Sequence, residues 1–183
     1  DLTVAVQVGI VVASLLFMKR MSDLTHIEGV TTELREGAAE DPGEITQVRK
    51  RKKYVGGYEI PAGVEVYEVN GPFFFGAAAK LEEVITEIAR IPKVFILRMR
   101  NVPAIDATGI YAIERMAKKC KHEGTTLILC EIKQQPLRAI VRARKLELFG
   151  GRQNLAKSLD IALDRARQVL EDEPTLRLPV SVK

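Results

Sequence analysis

Residues 2–18 read LTVAVQVGIVVASLLFM without a single charge, and Lys19 and Arg20 follow at once. A bilayer span needs about 20 apolar residues, so this run is slightly short of one. The expectation is the end of a membrane helix whose beginning lies upstream of Asp1. A signal peptide carries its positive charges before the apolar stretch, and here they come after it. By the positive-inside rule, Lys19 and Arg20 place the following chain in the cytoplasm. Polar residues are too sparse within the run to give a soluble helix a wet face.

The pattern dissolves over residues 22–57, where Gly, Pro and charges show no sustained period, and this stretch reads as a cytoplasmic linker. It carries a basic run, Arg49, Lys50, Arg51, Lys52 and Lys53. Near a membrane these five are candidates for contact with anions or lipid headgroups, at about 1 kcal/mol per residue. A flexible tether also tolerates such a run as solvated charge.

Order resumes at Tyr58. Residues 64–69 (VEVYEV) alternate as a half-buried strand should. Asn70, Gly71 and Pro72 then break the chain. Leu81, Val84, Ile85 and Ile88 fall at helical spacing, with Pro92 beyond the helix end. The run VFILRM at 94–99 predicts an interior strand. Ile110, Ile113, Met116, Ala117 and Cys120 mark one face of a second helix, with Gly124 placed to cap its C-terminus. A buried strand follows at 125–130 (TTLILC). Pro136 suits the first turn of a third helix that turns Leu137, Ile140 and Val141 inward. Leu155, Leu159, Ala162, Leu163, Ala166, Val169 and Leu170 predict a final amphipathic helix. Short strands alternating with helices give an α/β domain over residues 58–172, followed by a tail at 173–183 that holds Pro174 and Pro179.

Composition narrows the function. The chain has 183 residues, a formal charge of +4 and 46% hydrophobic residues, enough for one core with appendages. Its two cysteines, Cys120 and Cys130, have no CxxC or metal spacing and read as cytosolic thiols, with Cys130 a small buried apolar residue. Met99 and Met116 read as core filling. His26 falls in the linker and His122 on a polar helix face, and no nucleophile–base pair, paired acids or P-loop is recognisable. Basic residues cluster at Lys118, Lys119, Lys121 and at Arg138, Arg142, Arg144, Lys145, without a reading element or stacking aromatics beside them. That arrangement argues against nucleic acid. It favours a solvated face or a contact with a membrane protein or lipid.

The most informative stretch is RMRNVPAIDATGIYAIE at 98–114. It runs from the end of a buried strand through a Pro-containing loop into a helix. Asp106 is a suitable N-cap, since its carboxylate can accept from the unpaired first-turn amides. Thr108 brings a hydroxyl into that first turn, and Gly109 leaves the backbone open to close approach. Free amides and the helix dipole at such an end favour an anion. A plain cap with a small-residue turn explains the same four residues, Asp106, Ala107, Thr108 and Gly109.

VEVYEVNGPFFFGAA at 64–78 and VFILRMRNVPAIDATG at 94–109 together resemble the STAS domain shared by SulP-type sulfate transporters and anti-sigma factor antagonists. The transporter branch is the closer likeness. The Gly-Pro turn and Phe-Phe-Gly approach to the first helix are part of it, and the apolar run and linker ahead of the domain fit the end of a last transporter helix. The resemblance implies a sheet with helices mainly on one side. It also implies a homodimeric parent and a role in controlling or assembling the transporter's own membrane domain, and the absent catalytic constellation makes that role non-enzymatic, without cofactor. An unidentified cytosolic protein is a further candidate partner. In the antagonist branch two hydroxyl residues typically separate the Asp from the Gly, and the second is phosphorylated. Here Ala107 replaces the first and Thr108 occupies the second, so the phospho-acceptor carries over to Thr108 alone. A phospho-regulated protein-binding module is accordingly the alternative function.

Overall fold

The apolar run at 94–99 lies within β5 (Val94–Asn101), the middle strand of a five-stranded sheet. The computed structural model describes residues 1–23, 25–30, 53–55, 57–74, 79–81, 83 and 92–172. Its sheet has the order β1 (His26–Gly29), β4 (Val64–Asn70), β5, β6 (Thr126–Cys130), β7 (Leu155–Ala156). β1 is antiparallel to β4, and every other neighbouring pair is parallel. A separate hairpin pairs β2 (Lys53–Val55) with β3 (Tyr58–Ile60).

The sheet is buried on both faces, which is why β5 and β6 read as continuous apolar runs. On one face Phe95, Leu97, Met99, Leu127 and Leu129 meet Ile113, Met116 and Cys120 of α2 (Ala107–His122) and Ile140 of α3 (Gln134–Arg142). Leu81, helical and fully buried, joins this face, and Tyr67 stacks on Phe95 with ring centroids 4.8 Å apart. On the other face Val64, Val66, Val94, Ile96 and Ile128 pack against Leu159, Ala162, Leu163 and Ala166 of α4 (Leu159–Asp172), with Val55 and Ile60 of the hairpin beside them. Two helices and the Leu81 turn therefore cover one face, and a single helix covers the other. Each fully buried Leu, Ile or Val contributes about 1.5–3 kcal/mol.

The helix ends follow the chemistry read from the sequence. Pro136 sits in the first turn of α3. Gly124 adopts φ 72°, and beside it the Thr125 amide donates to the Cys120 carbonyl at 2.8 Å, closing α2.

Four places differ from the pattern reading, one of them Val141, which was expected to face inward but is exposed on α3 beside the buried Ile140. Val84, Ile85 and Ile88 lie outside the described residues, as do Arg49, Lys50, Arg51, Lys52 and the 173–183 tail. The segment read as linker supplies β1 and β2: His26 pairs with Asn70 and Lys53 with Ile60. That pairing buries β4 more deeply than a half-buried strand, with Tyr67 and Glu68 both enclosed. The last helix begins at Leu159 rather than Leu155, because Leu155 and Ala156 extend the sheet beside Leu129 and Cys130.

α1 (Leu2–Asp23) is a helix with apolar side chains exposed all round. Val8, Ile10, Val11 and Val12, which at 100° per residue point in different directions around the helix, are each about half exposed. The Ser14 hydroxyl donates to the Ile10 carbonyl at 2.8 Å, so it needs no outside partner. Among the described residues no helix is long and apolar enough by itself to cross a membrane.

Candidate functional site

The C-terminal ends of β4, β5 and β6 bring three loops together, around 70–74, 101–106 and 131–135. Parallel sheets commonly present their ligand or partner surface at this edge. Asp106 stands at its middle. Its backbone is extended (φ −103°, ψ −175°), and its Oδ1 accepts from the Gly109 amide at 2.8 Å. The Thr108 hydroxyl donates to the same oxygen at 2.6 Å. Ala107 and Thr108 are exposed, whereas Gly109 is buried. All four residues predicted as the site thus form one turn, with Asp106 acting as the N-cap.

Gly109 is small for a steric reason. A Cβ there would lie 2.3 Å from the Phe73 carbonyl oxygen and 2.7 Å from Ile105 Cγ1. Phe73 is itself fixed from the other side, because its amide donates to the Ala104 carbonyl at 2.9 Å and it bridges Ile105 in parallel fashion. The Gly-Pro-Phe segment and the 101–106 loop are therefore laced together directly beneath the turn.

Two clamps escaped the sequence reading. Gln135, from the first turn of α3, grips both backbone groups of Ile105: its Oε1 accepts from the Ile105 amide at 2.9 Å and its Nε2 donates to the Ile105 carbonyl at 3.2 Å. Thr25 is completely buried and donates its hydroxyl to the Pro72 carbonyl at 2.7 Å. Lys80 Nζ donates to the Thr25 carbonyl at 2.6 Å. Neither residue carries a local signal, since each contact joins segments about 30 to 55 positions apart.

On the α4 face of the same sheet lies an ionic network. Glu68, Arg98 and Cys130 are in register across β4, β5 and β6. Arg98 pairs with Glu131 and reaches Glu68 at 3.3 Å, and Arg100 Nε binds Glu68 at 2.7 Å. Asn101 donates to Glu68 at 3.0 Å and to Asn70 at 2.6 Å. The two acids raise the Arg98 pKa, with the Glu131 hydrogen bond the largest influence. Glu131 takes a left-handed backbone (φ 54°), held by its ion pair and by its amide donating to Ala156. The signal for this network was present in the sequence: charged residues inside apolar strands must find partners. Among the described residues no buried side-chain polar atom lacks a partner.

The remaining candidates lie elsewhere. Lys53 opens β2, away from the turn in sequence and in a separate sheet. His26 lies exposed in β1, and His122 lies exposed at the end of α2. Cys120 and Cys130 are buried, and burial pushes both thiols up to about 12, far from a nucleophile's range. Lys118 and Lys145 both bind Glu114 at 2.9 Å and hold its carboxyl below the usual range, so part of the basic cluster neutralises a core-facing acid.

The model of the STAS domain family matches residues 58–162. Among solved structures, a sulfate transporter family protein from Wolinella succinogenes is 43% identical, covering 61% of this chain and 91% of that one, with TM-score 0.58. The STAS domain of a SulP transporter from Vibrio cholerae is 32% identical, covering 61% and 87%, with TM-score 0.54. The murine Slc26a9 anion transporter in its inward-facing state is 20% identical and shares the fold over 92% of this chain and 26% of its own, with TM-score 0.61. YvdB of Bacillus subtilis (strain 168), named as a sulfate transporter, is 26% identical over 137 residues. The match takes in 74% of this chain but only 22% of YvdB, so the chain spans about a fifth of that relative. With its sheet order, its Gly-Pro-Phe segment and its Asp106 cap in place, the chain belongs to the STAS domain family.

Proposed function

We propose that the chain is the cytoplasmic regulatory and assembly domain of a SulP-type secondary anion transporter, joined to the end of its last membrane helix. The observation that carries this reading is α1. It presents apolar side chains in every direction, carries Lys19 and Arg20 near its C-terminal end, and leads within a few residues into the sheet through Thr25. A soluble phospho-switch protein has no use for such a helix, whereas a tethered domain requires one. The likeness to named sulfate and anion transporters supports the same reading, and that to the murine transporter extends well outside residues 58–162.

The domain acts by contact rather than by chemistry. Its buried thiols are protonated, its histidines lie apart, and its conspicuous acids are occupied as a cap or as ion-pair partners. The regulatory contact is the turn of Asp106, Ala107, Thr108 and Gly109, which offers the exposed Ala107 and Thr108 to the parent's membrane domain. The parent is a homodimer in the cell membrane, with the chain after about Lys19 on the cytoplasmic side.

Phosphorylation of Thr108 is not needed for this role. A phosphate would bring about two negative charges next to Asp106, against a carboxylate that already accepts two hydrogen bonds.

Topology tests the reading. In intact cells expressing the parent, a protease added outside leaves residues 58–172 uncut, and lysis or inversion of the membrane exposes them. Cleavage of the domain from outside intact cells overturns the assignment.

A further inference from the structure

α1 and the Asp106 turn are far apart in sequence, yet one short series of contacts connects the turn with Thr25, two residues past the end of α1. The chain leaving α1 reaches Thr25, whose side chain is fully buried although it is polar and precedes an edge strand. Its hydroxyl holds the Pro72 carbonyl at 2.7 Å, and its own carbonyl is held by Lys80 at 2.6 Å. The next residue, Phe73, is fully buried and bonded through its amide to Ala104 at 2.9 Å. The Phe73 carbonyl in turn abuts Gly109, leaving no room for a methyl group. From Thr25 onward the chain is immediately committed to the sheet, since His26 pairs with Asn70. Thr25 therefore holds Pro72, the residue before Phe73, whose carbonyl floors the turn.

We infer that Thr25 is a latch that transmits the position of α1 to the 106–109 turn. When α1 is displaced relative to the sheet, the pull falls on the Thr25 to Pro72 hydrogen bond. Release of Pro72 frees Phe73, and freeing Phe73 removes the surface on which Gly109 and the Asp106 cap rest. Lys80 acts as a positioning residue, holding the Thr25 backbone so that its hydroxyl points at Pro72. The inference rests on the transporter reading, in which α1 belongs to the moving membrane domain. The latch itself is a property of this chain and can be measured without transport. Coupling of this kind must be shown by its effect at the distant site, because adjacency alone does not establish it.

The experiment is site-resolved amide hydrogen exchange on the full 183-residue chain. Thr25→Val keeps the size and burial of the side chain and removes its hydroxyl. The expected result is about tenfold faster exchange at Phe73, Ile105 and Gly109, in line with loss of one hydrogen bond, while amides of β6 keep their rates. Thr25→Ser restores the parent rates. Should Thr25→Val accelerate all amides together, Lys80→Met makes the decision, since it loosens Thr25 without altering a buried group, and Gly109 must again respond before β6. Unchanged exchange at Gly109 in both variants, with Phe73 accelerated, overturns the latch and leaves the transporter reading intact. An intact latch in a chain whose parent fails the topology test contradicts only the transporter reading.

Discussion

Gly109 lies against the carbonyl oxygen of Phe73 so closely that a Cβ on Gly109 would come to 2.3 Å from it. The contact joins the Gly-Pro-Phe segment after β4 to the first turn of α2, and it explains why a glycine must follow Thr108. Gly109→Ala forces either the Phe73 backbone or the helix start to move. Overpacking of this kind costs about 1–3 kcal/mol. Chemical denaturation of the isolated domain checks it, and unchanged stability would mean that the two segments separate easily.

Asp106 caps α2 through Gly109 and also receives the Thr108 hydroxyl. Asp106→Ala removes both interactions and is expected to cost about 0.5–2 kcal/mol. Thr108→Val leaves the cap amide bonded and costs less. A larger loss for Thr108→Val than for Asp106→Ala contradicts the assignment of Asp106 as the principal partner.

Arg98 stands between Glu68 and Glu131, and only 11% of its side chain is exposed. Arg98→Met fits the strand but leaves two acids without their shared cation. The expected loss is about 3 kcal/mol, at the lower end for breaking a buried pair, since Glu131 keeps 22% of its side chain exposed and Arg100 still serves Glu68. The Glu68→Leu, Arg98→Met, Glu131→Leu triple variant recovers much of that loss. Denaturant midpoints of the single and triple variants make the comparison.

Cys120 and Cys130 have thiols raised by burial from 9.0 to about 12. The unfolded chain loses these protons first, so stability is fully present below pH 9 and falls as pH rises from 9 toward 12. Each thiol contributes a slope of about 1.4 kcal/mol per pH unit within that window. At pH 8.5 iodoacetamide is expected to leave both thiols of the folded chain unmodified and to modify both in denaturant. Rapid alkylation of either in the folded state contradicts the burial described.

Much of this was legible in the sequence, and the reasons are physical. The interior strands announced themselves because parallel strands buried on both faces need continuous apolar runs, as at 94–99. The Asp106 cap was legible because N-capping is local chemistry over three residues. β1 was not, because HIEG is short and its pairing with β4 depends on the distant Asn70 and Tyr67. Leu155 continued the helical spacing of the last helix, yet the sheet edge beside Leu129 claimed it. Thr25 and Gln135 hold backbone groups of other segments, and a side chain that bonds a distant backbone leaves no pattern in its own neighbourhood. The Glu68 and Arg98 pairing could have been anticipated, since two charges in adjacent buried strands seldom go unpaired.

We propose above all that the 106–109 turn is a regulatory contact of a membrane anion transporter. It is tested most directly by anion uptake through the full parent, normalised to the amount of transporter at the cell surface. Asp106→Ala and Thr108→Glu are compared with the parent, alongside the thermal stability of the isolated domain. The account predicts that uptake per surface transporter falls in both variants by more than their loss of folding explains. Normal uptake per folded transporter in both would contradict it and leave Asp106 as a helix cap alone.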